Sequence, residues 1–270
     1  METRDLKTEA AEVRALSKVK KIGILTSGGD SPGMNAAIRA VTRCAIDDGI
    51  KVYGIQRGYQ GLIEGEFIEL ARYSVSDTMQ RGGTMLKTAR SEEFKTEEGQ
   101  ERAASMLQTF GIDALVVIGG DGTMRGAYDL SNFNVPVICL PGTIDNDLGY
   151  TDYTIGFDTA VNTVLEAIGK IRDTSSSHER TTVIEVMGRK CGDIAVYAAL
   201  AGGAEAVCVP EMPVDVSRIC NKIITDGHKG RTHSVIIIAE GAPIKTTDLV
   251  DEIKRVTHKE VRQVVLSYLQ

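Results

Sequence analysis

Between Ala114 and Asp147 the chain writes one pattern twice: a short apolar run, then a turn of glycine and aspartate. The first run, Ala114-Leu115-Val116-Val117-Ile118, ends in Gly119-Gly120-Asp121-Gly122-Thr123. The second, Val135-Pro136-Val137-Ile138-Cys139-Leu140, ends in Pro141-Gly142-Thr143-Ile144-Asp145-Asn146-Asp147. Continuous apolar runs of this length suit strands buried on both faces of a parallel sheet. In such sheets a ligand sits beyond the carboxyl ends of the strands. The two turns then deliver Asp121, Asp145 and Asp147 to one crevice. Three carboxylates there repel one another unless a cation joins them, and a magnesium-bound phosphate chain is the common solution.

A third turn has the same make-up. The strand-like Ile22-Gly23-Ile24-Leu25 leads into Thr26-Ser27-Gly28-Gly29-Asp30-Ser31-Pro32-Gly33-Met34-Asn35, and a helical pattern follows. Glycine lets a ligand approach the backbone, and a helix start offers unpaired N–H groups to an anion. The loop is neither a Walker A motif nor a GxGxxG fingerprint. From Lys21 onward strand and helix alternate. Strands are expected at Ile22–Thr26, Lys51–Ile55, Ala114–Ile118, Val135–Leu140, Thr182–Met187, Ala206–Val209 and Val235–Glu240. Helices are expected at Met34–Asp47, Glu97–Phe110, Met124–Leu130, Phe157–Thr174, Gly192–Ala201, Val216–His228 and Thr247–Val256. Such alternation means right-handed βαβ units and an α/β fold with mostly parallel sheets.

Bulk properties narrow the class. At 270 residues with 42% hydrophobic content, the chain can bury one large α/β domain or two lobes. A net charge of −6 argues against a general nucleic-acid binder. The five cysteines, Cys44, Cys139, Cys191, Cys208 and Cys220, lack CxxC spacing and read as buried free thiols in a reducing compartment. No run reaches membrane-span length and no apolar leader opens the chain, so a cytoplasmic protein with no membrane or nucleic-acid partner is expected.

Six spaced motifs carry a resemblance. Thr26–Asn35, Gly119–Thr123, Pro141–Asp147, Thr154–Ala160, Ser177-His178-Glu179-Arg180 and Glu185-Val186-Met187-Gly188-Arg189 resemble the ATP-dependent 6-phosphofructokinases of bacterial type. The likeness runs in order from about Lys20 to Gln270. It implies two three-layer αβα lobes with the substrates between them: a nucleotide-binding lobe over 21–155 and a sugar-phosphate lobe over 156–270. Residues 1–20, rich in Ala, Glu, Lys and Arg, form an N-terminal extension outside it. The activity implied is transfer of a phosphoryl group from MgATP to fructose 6-phosphate, with Mg²⁺ as cofactor.

On the nucleotide side the resemblance implies that Asp121 holds Mg²⁺ and that Gly29, Arg90, Ser91, Gly122, Thr123 and Met124 contact ATP. By itself an aspartate at a strand–helix junction is equally a helix N-cap. An arginine in the glycine-containing loop Arg81–Arg90 suits a site where charge develops on a transferred phosphoryl group. Related pyrophosphate-dependent enzymes typically carry aspartate where Gly122 stands and lysine where Gly142 stands, so the two glycines point to ATP as donor.

On the acceptor side, transfer to a sugar hydroxyl needs a group that takes its proton. The resemblance assigns that role to Asp145, with Thr143 and Asp147 orienting base and substrate. If the segment is extended, these three side chains point one way; otherwise an Asx-rich turn is the ordinary reading. Ile144, Arg180, Met187, Gly188, Arg189, Glu240 and Arg262 match sugar-phosphate positions, with Arg189 also catalytic. Arg180 and Arg262 match positions that reach in from a neighbouring subunit, which implies a homotetramer. His178 is read as structural or substrate-lining. A second set, Arg39, Arg43, Arg72, Arg172, Gly203, Glu205, Lys229, Arg231 and His233, matches the family's effector pocket for ADP or phosphoenolpyruvate.

Two departures stand out. Tyr268 occupies a position where many bacterial enzymes have a histidine that contacts the sugar phosphate; tyrosine still donates a hydrogen bond but is uncharged at neutral pH. Family members also continue past Gln270 with a further phosphate-binding arginine and a segment returning to the first lobe. On that pattern the chain reads as a C-terminally truncated form with an incomplete first lobe. The alternative from another class is a catalytically silent, regulatory nucleotide-binding subunit. An NAD or lipid kinase with a similar GGDG turn is disfavoured by the PGTIDND, SHER and EVMGR motifs.

Overall fold

The computed structural model describes residues 19–270; residues 1–18 of the N-terminal extension lie outside the described residues. The chain divides into two compact units, one ending at Thr143 and one running Ile144–Gln270. The division therefore falls before the expected break at 155/156. The reason is Ile144, which is 9% exposed and packs in one core cluster with Phe157, Ala160 and Val161 of the second unit.

The first unit holds a five-stranded sheet in the order β3-β2-β1-β4-β5, from β1 (Lys21–Thr26), β2 (Lys51–Ile55), β3 (Phe67–Leu70), β4 (Ala114–Gly119) and β5 (Val137–Pro141). All pairings are parallel except β2 with β3. Side chains of a strand alternate between faces, and β4 sorts accordingly. Leu115 and Val117 pack with Tyr59, Leu62, Ala103, Leu107, Ala127 and Leu130, on α2 (Gly58–Glu64), α3 (Glu97–Phe110) and α4 (Asp121–Ser131). Val116 and Ile118 pack with Met34, Ile38 and Ala45 on α1 (Met34–Asp47). Helices thus cover both faces.

The second unit holds a parallel sheet in the order β7-β8-β6-β9, from β6 (Thr181–Val186), β7 (Ala206–Cys208), β8 (Ser234–Ala239) and β9 (Val261–Val265). Val235, Ile237 and Ala239 face α5 (Phe157–Ser177) and α6 (Asp193–Gly202). Ile236 and Ile238 face α7 (Val216–His228) and α8 (Thr246–Thr257). Both units are αβα layers, as expected.

Three expectations need correction. The run ending in Leu140 is not buried on both faces: β5 is an edge strand, with Ile138 62% exposed. Each face is covered only in part, with Val137 packed in one core cluster of the unit and Leu140 in the other. The cysteines are not uniformly buried; Cys208 and Cys220 are, but Cys44 and Cys139 are exposed. Cys44 lies on the outer side of α1, while Cys139 belongs to that edge strand. Finally, β3, α2 and β9 were not expected. α2 is opened by Gly58 and carries Gly61, a composition that reads as loop; yet a Cβ at Gly61 would lie 1.8 Å from the Gln56 carbonyl oxygen. Among the described residues no helix is long and apolar enough to cross a membrane.

Candidate active site

In the first unit, the turns after β1 and β4 are bonded into one platform. The N–H of Ser27 donates to the Ile118 carbonyl at 3.1 Å, and Thr123 Oγ1 donates to the Ser27 carbonyl at 2.9 Å. Gly119 must be glycine there, since a Cβ would stand 2.3 Å from Thr123 Oγ1 and 2.5 Å from the Ser27 carbonyl oxygen. Buried Tyr59 donates its hydroxyl to the Thr123 carbonyl at 2.6 Å and stacks on Phe94 at 4.0 Å. Burial pushes the Tyr59 phenol well above its usual range, so it stays a neutral donor.

The loop leading to Arg90 is tied to the same platform. Asn35 donates to the carbonyls of Arg81 and Gly82 and accepts from the N–H of Met85. Thr26 Oγ1 lies 2.8 Å from Thr84 Oγ1, and Thr88 Oγ1 donates to the Gly28 carbonyl at 2.7 Å. Sequence reasoning gave Asn35, Tyr59 and Thr84 no role. Only their buried polar bonding identifies them.

The platform leaves an opening for an anion. A Cβ added at Gly29 or Gly122 would meet nothing within 4 Å. α4 begins at Asp121 rather than Met124, with Gly120 as an N-cap that supplies no side-chain bond. Its first N–H groups therefore have neither an intrahelical acceptor nor a cap, the usual state of an anion-binding helix start. The N–H groups of Thr123 and Met124 already bond the Gly120 carbonyl, so those ahead of them are the ones open to phosphate. Asp121 and Arg90 are exposed, and Asp121 lies 3.8 Å from Arg125. Ser91 Oγ accepts from the Phe94 N–H at 3.1 Å. An exposed carboxylate beside such an opening fits Mg²⁺, which is commonly held by one or two carboxylates plus phosphate oxygens.

In the second unit, the carboxyl ends of β6 and β8 and the loop from Ile144 converge. Asp145 is 4% exposed, and its Oδ2 lies 3.3 Å from Arg189 Nε. Arg189 sits in a constrained turn. Its φ is 52°, Gly188 before it has φ 131°, and its N–H donates to Glu240 Oε1 at 2.8 Å. A Cβ at Gly241 would lie 1.8 Å from the Arg189 carbonyl oxygen, so only glycine closes this junction. Met187 donates its N–H to Gln270 Oε1 at 2.9 Å. Met187, Glu240 and Tyr268, three expected acceptor contacts, line one cavity of about 130 Å³ with Glu185, Val186, Val265 and Ser267.

One site expectation fails. The segment Thr143–Asp147 is not extended, because Asn146 has φ 56°, a left-handed conformation that asparagine tolerates. The alternation is broken there: Asp145 is buried while Asp147 is exposed. Among the described residues no three His, Cys, Asp or Glu side chains form a group that could hold a metal.

Arg180 and Arg262 lie apart from Asp145. Thr182 is in register with Arg262 near the amino end of the sheet, and Arg180 immediately precedes β6. Arg189 follows the opposite end of β6, roughly 20 Å away for a strand of this length. Arg180 lies 3.8 Å and Arg262 2.7 Å from Glu260, and the Nε of Arg180 is buried with no partner among the described residues.

The second basic set is also built from local contacts. Arg39 and Arg43 share a face of α1, and Asp47, four residues beyond Arg43, pairs with Arg72. In the second unit, Arg172 donates to the carbonyls of Gly202 and Gly203, and Glu205 accepts the N–H of Val235 at 2.6 Å. Arg231 donates its N–H to the Asp226 carbonyl; Lys229 precedes it, and His233 leads into β8.

Residues 21–270 match the family model for phosphofructokinase. The chain belongs to the phosphofructokinase family. The ATP-dependent 6-phosphofructokinase of Clostridium tetani is 59% identical over 252 residues, covering 93% of this chain and 79% of that protein. The enzyme of the same name from Clostridium botulinum is 56% identical over the same shares. Among solved structures, phosphofructokinase from Saccharomyces cerevisiae superposes with a TM-score of 0.87 at 36% identity, covering 93% of this chain and 38% of that one.

Proposed function

We propose that this chain is an ATP-dependent 6-phosphofructokinase of glycolysis, carrying the γ-phosphoryl group of ATP to the 1-hydroxyl of fructose 6-phosphate. The observation that carries the reading is the buried Asp145 held 3.3 Å from Arg189 at a sheet's carboxyl end, in a chain 59% identical to an enzyme of that name. Asp145 takes the proton of the 1-hydroxyl as its oxygen bonds the γ-phosphorus. The bond from phosphorus to the bridging oxygen breaks, ADP leaves, and fructose 1,6-bisphosphate forms. Arg189 orients the carboxylate and stabilises charge on the transferring group. Glu240 fixes the Arg189 turn and borders the acceptor with Met187, Gly188 and Tyr268. Thr143, Ile144 and Asp147 complete that border.

Gly29, Gly122 and the uncapped start of α4 take the phosphates, with Arg90, Ser91, Thr123 and Met124 around them. Asp121 would hold Mg²⁺, which when bound draws charge from the phosphate oxygens. Arg180 and Arg262 match family positions that serve the acceptor phosphate of a neighbouring protomer, and their place at the amino end of the sheet, away from Arg189, suits a working homotetramer. Arg39, Arg43 and Arg72 of the first unit, and Arg172, Gly203, Glu205, Lys229, Arg231 and His233 of the second, are assigned to binding of the effector ADP or phosphoenolpyruvate between subunits. The reaction takes place in the cytoplasm.

The test is phosphoryl transfer to fructose 6-phosphate from ATP or pyrophosphate, with magnesium, for the wild type and Asp145→Ala. Transfer from ATP alone, abolished by the substitution, is expected. Transfer from pyrophosphate would overturn the donor assignment, and full activity of Asp145→Ala would overturn the assignment of the base.

A further inference from the structure

Asn146 is the residue whose bonding exceeds its assigned role. It has none in the reaction above, yet its side chain ties together three segments of the second unit. Nδ2 donates to Asp193 Oδ2 at 2.8 Å and to the Asp152 carbonyl at 3.4 Å. Oδ1 accepts the N–H of buried Thr154 at 3.0 Å. Asp193 is the first residue of α6, whose next two residues, Ile194 and Ala195, are completely buried. The helix start is itself fixed. The N–H of Gly192 donates to Glu211 Oε1 at 2.7 Å, and a Cβ there would strike Val209 at 2.6 Å. Asp193 is therefore a rigid post, and Asn146 fastens to it the loop that carries Asp145.

We propose that Asn146 is a positioning residue for the base Asp145, acting through Asp193. This rests on the reading of Asp145 as the base. A left-handed residue between Asp145 and Asp147 sets the direction in which each carboxylate leaves the chain. The Asn146 amide holds that backbone turn without adding charge to a loop that already has two aspartates. Aspartate has the same shape and also tolerates the left-handed region, but it cannot donate to Asp193 and would set two carboxylates in contact. A shift of about 1 Å in a reacting group costs on the order of 100-fold in rate.

Asn146→Asp should lower kcat about 100-fold while KM for ATP, bound by first-unit residues, stays within about threefold. The swap Asn146→Asp with Asp193→Asn restores one donor and one acceptor and should recover most of the loss. Unchanged kcat in the single variant, or no recovery in the swap, overturns the proposal. Thr154 amide exchange gives a readout independent of turnover. Asn146→Gly keeps the left-handed backbone but removes the acceptor, and exchange at Thr154 should rise at least about tenfold. Unaltered exchange overturns it. If the wild type itself fails to phosphorylate fructose 6-phosphate, the catalytic reading falls instead, and the exchange result still reports whether Asn146 holds the loop.

Discussion

Replacing Gly122 by aspartate should move stability and activity in opposite directions. Gly122 is the second residue of α4, has no positive φ, and faces open space, so the new side chain meets no steric barrier. Exchanging glycine for aspartate in a helix gains a few tenths of a kcal/mol in propensity. A carboxylate in the first turn gains roughly 0.3–1 kcal/mol from the helix dipole. Together these amount to about 1 kcal/mol, or a rise in Tm of about 2–4 °C for a chain near this size. The same carboxylate enters the opening assigned to the phosphates of ATP. Two unit charges at 4 Å repel by about 4 kcal/mol at an effective dielectric of 20. Allowing for partial neutralisation by magnesium leaves about 3 kcal/mol, roughly 100-fold in kcat/KM for ATP. Thermal unfolding and steady-state kinetics with varied ATP measure the two effects separately. A variant that keeps kcat/KM for ATP within about threefold of the wild type would refute the placement of the phosphates over Gly122. A large fall in Tm would refute the reading of Gly122 as sterically free.

Arg189→Lys should lower kcat about 10- to 100-fold with little change in Tm, because the side chain is 62% exposed but its fork beside Asp145 is lost; steady-state kinetics and a melting curve decide this. Asp113 accepts the N–H groups of Lys20 and Lys21, which holds its carboxyl below the ordinary value of 3.8. A depressed carboxylate stabilises the fold above that value and loses the effect as pH falls below it. Asp113→Ala should therefore cost roughly 1 kcal/mol at neutral pH, and the gap to wild type should close in acid, as pH-dependent urea unfolding would reveal. Iodoacetamide should label Cys44 and Cys139 in the folded protein and leave Cys208 and Cys220 untouched until unfolding; burial pushes the Cys208 thiol up to about 11. Peptide mapping after labelling checks this.

What the sequence revealed depended on whether local chemistry alone decides a feature. α1, α3 and α7 were expected with the bounds they have, because apolar periodicity and a clear stop coincide at each end. The start of α4 was misplaced because Gly120 caps it without a side-chain signal, and that silence is the feature that opens the helix to an anion. β5 resembled a fully buried strand because composition does not record whether a neighbour lies on each side. The site divides in the same way. Motifs named Asp145 and Arg189, whose pairing then appears at 3.3 Å. The side chains that fasten the site's loops were invisible, since Asn35 reaches the Arg81–Met85 loop, and Asn146 reaches Asp193, across 46 or more residues. Asn146 shows why. Its type is explained locally by a left-handed turn, so nothing in the sequence demands a second reason. Only the fold brings Asp193 within 2.8 Å and turns a conformational choice into a fastening for the loop that carries Asp145.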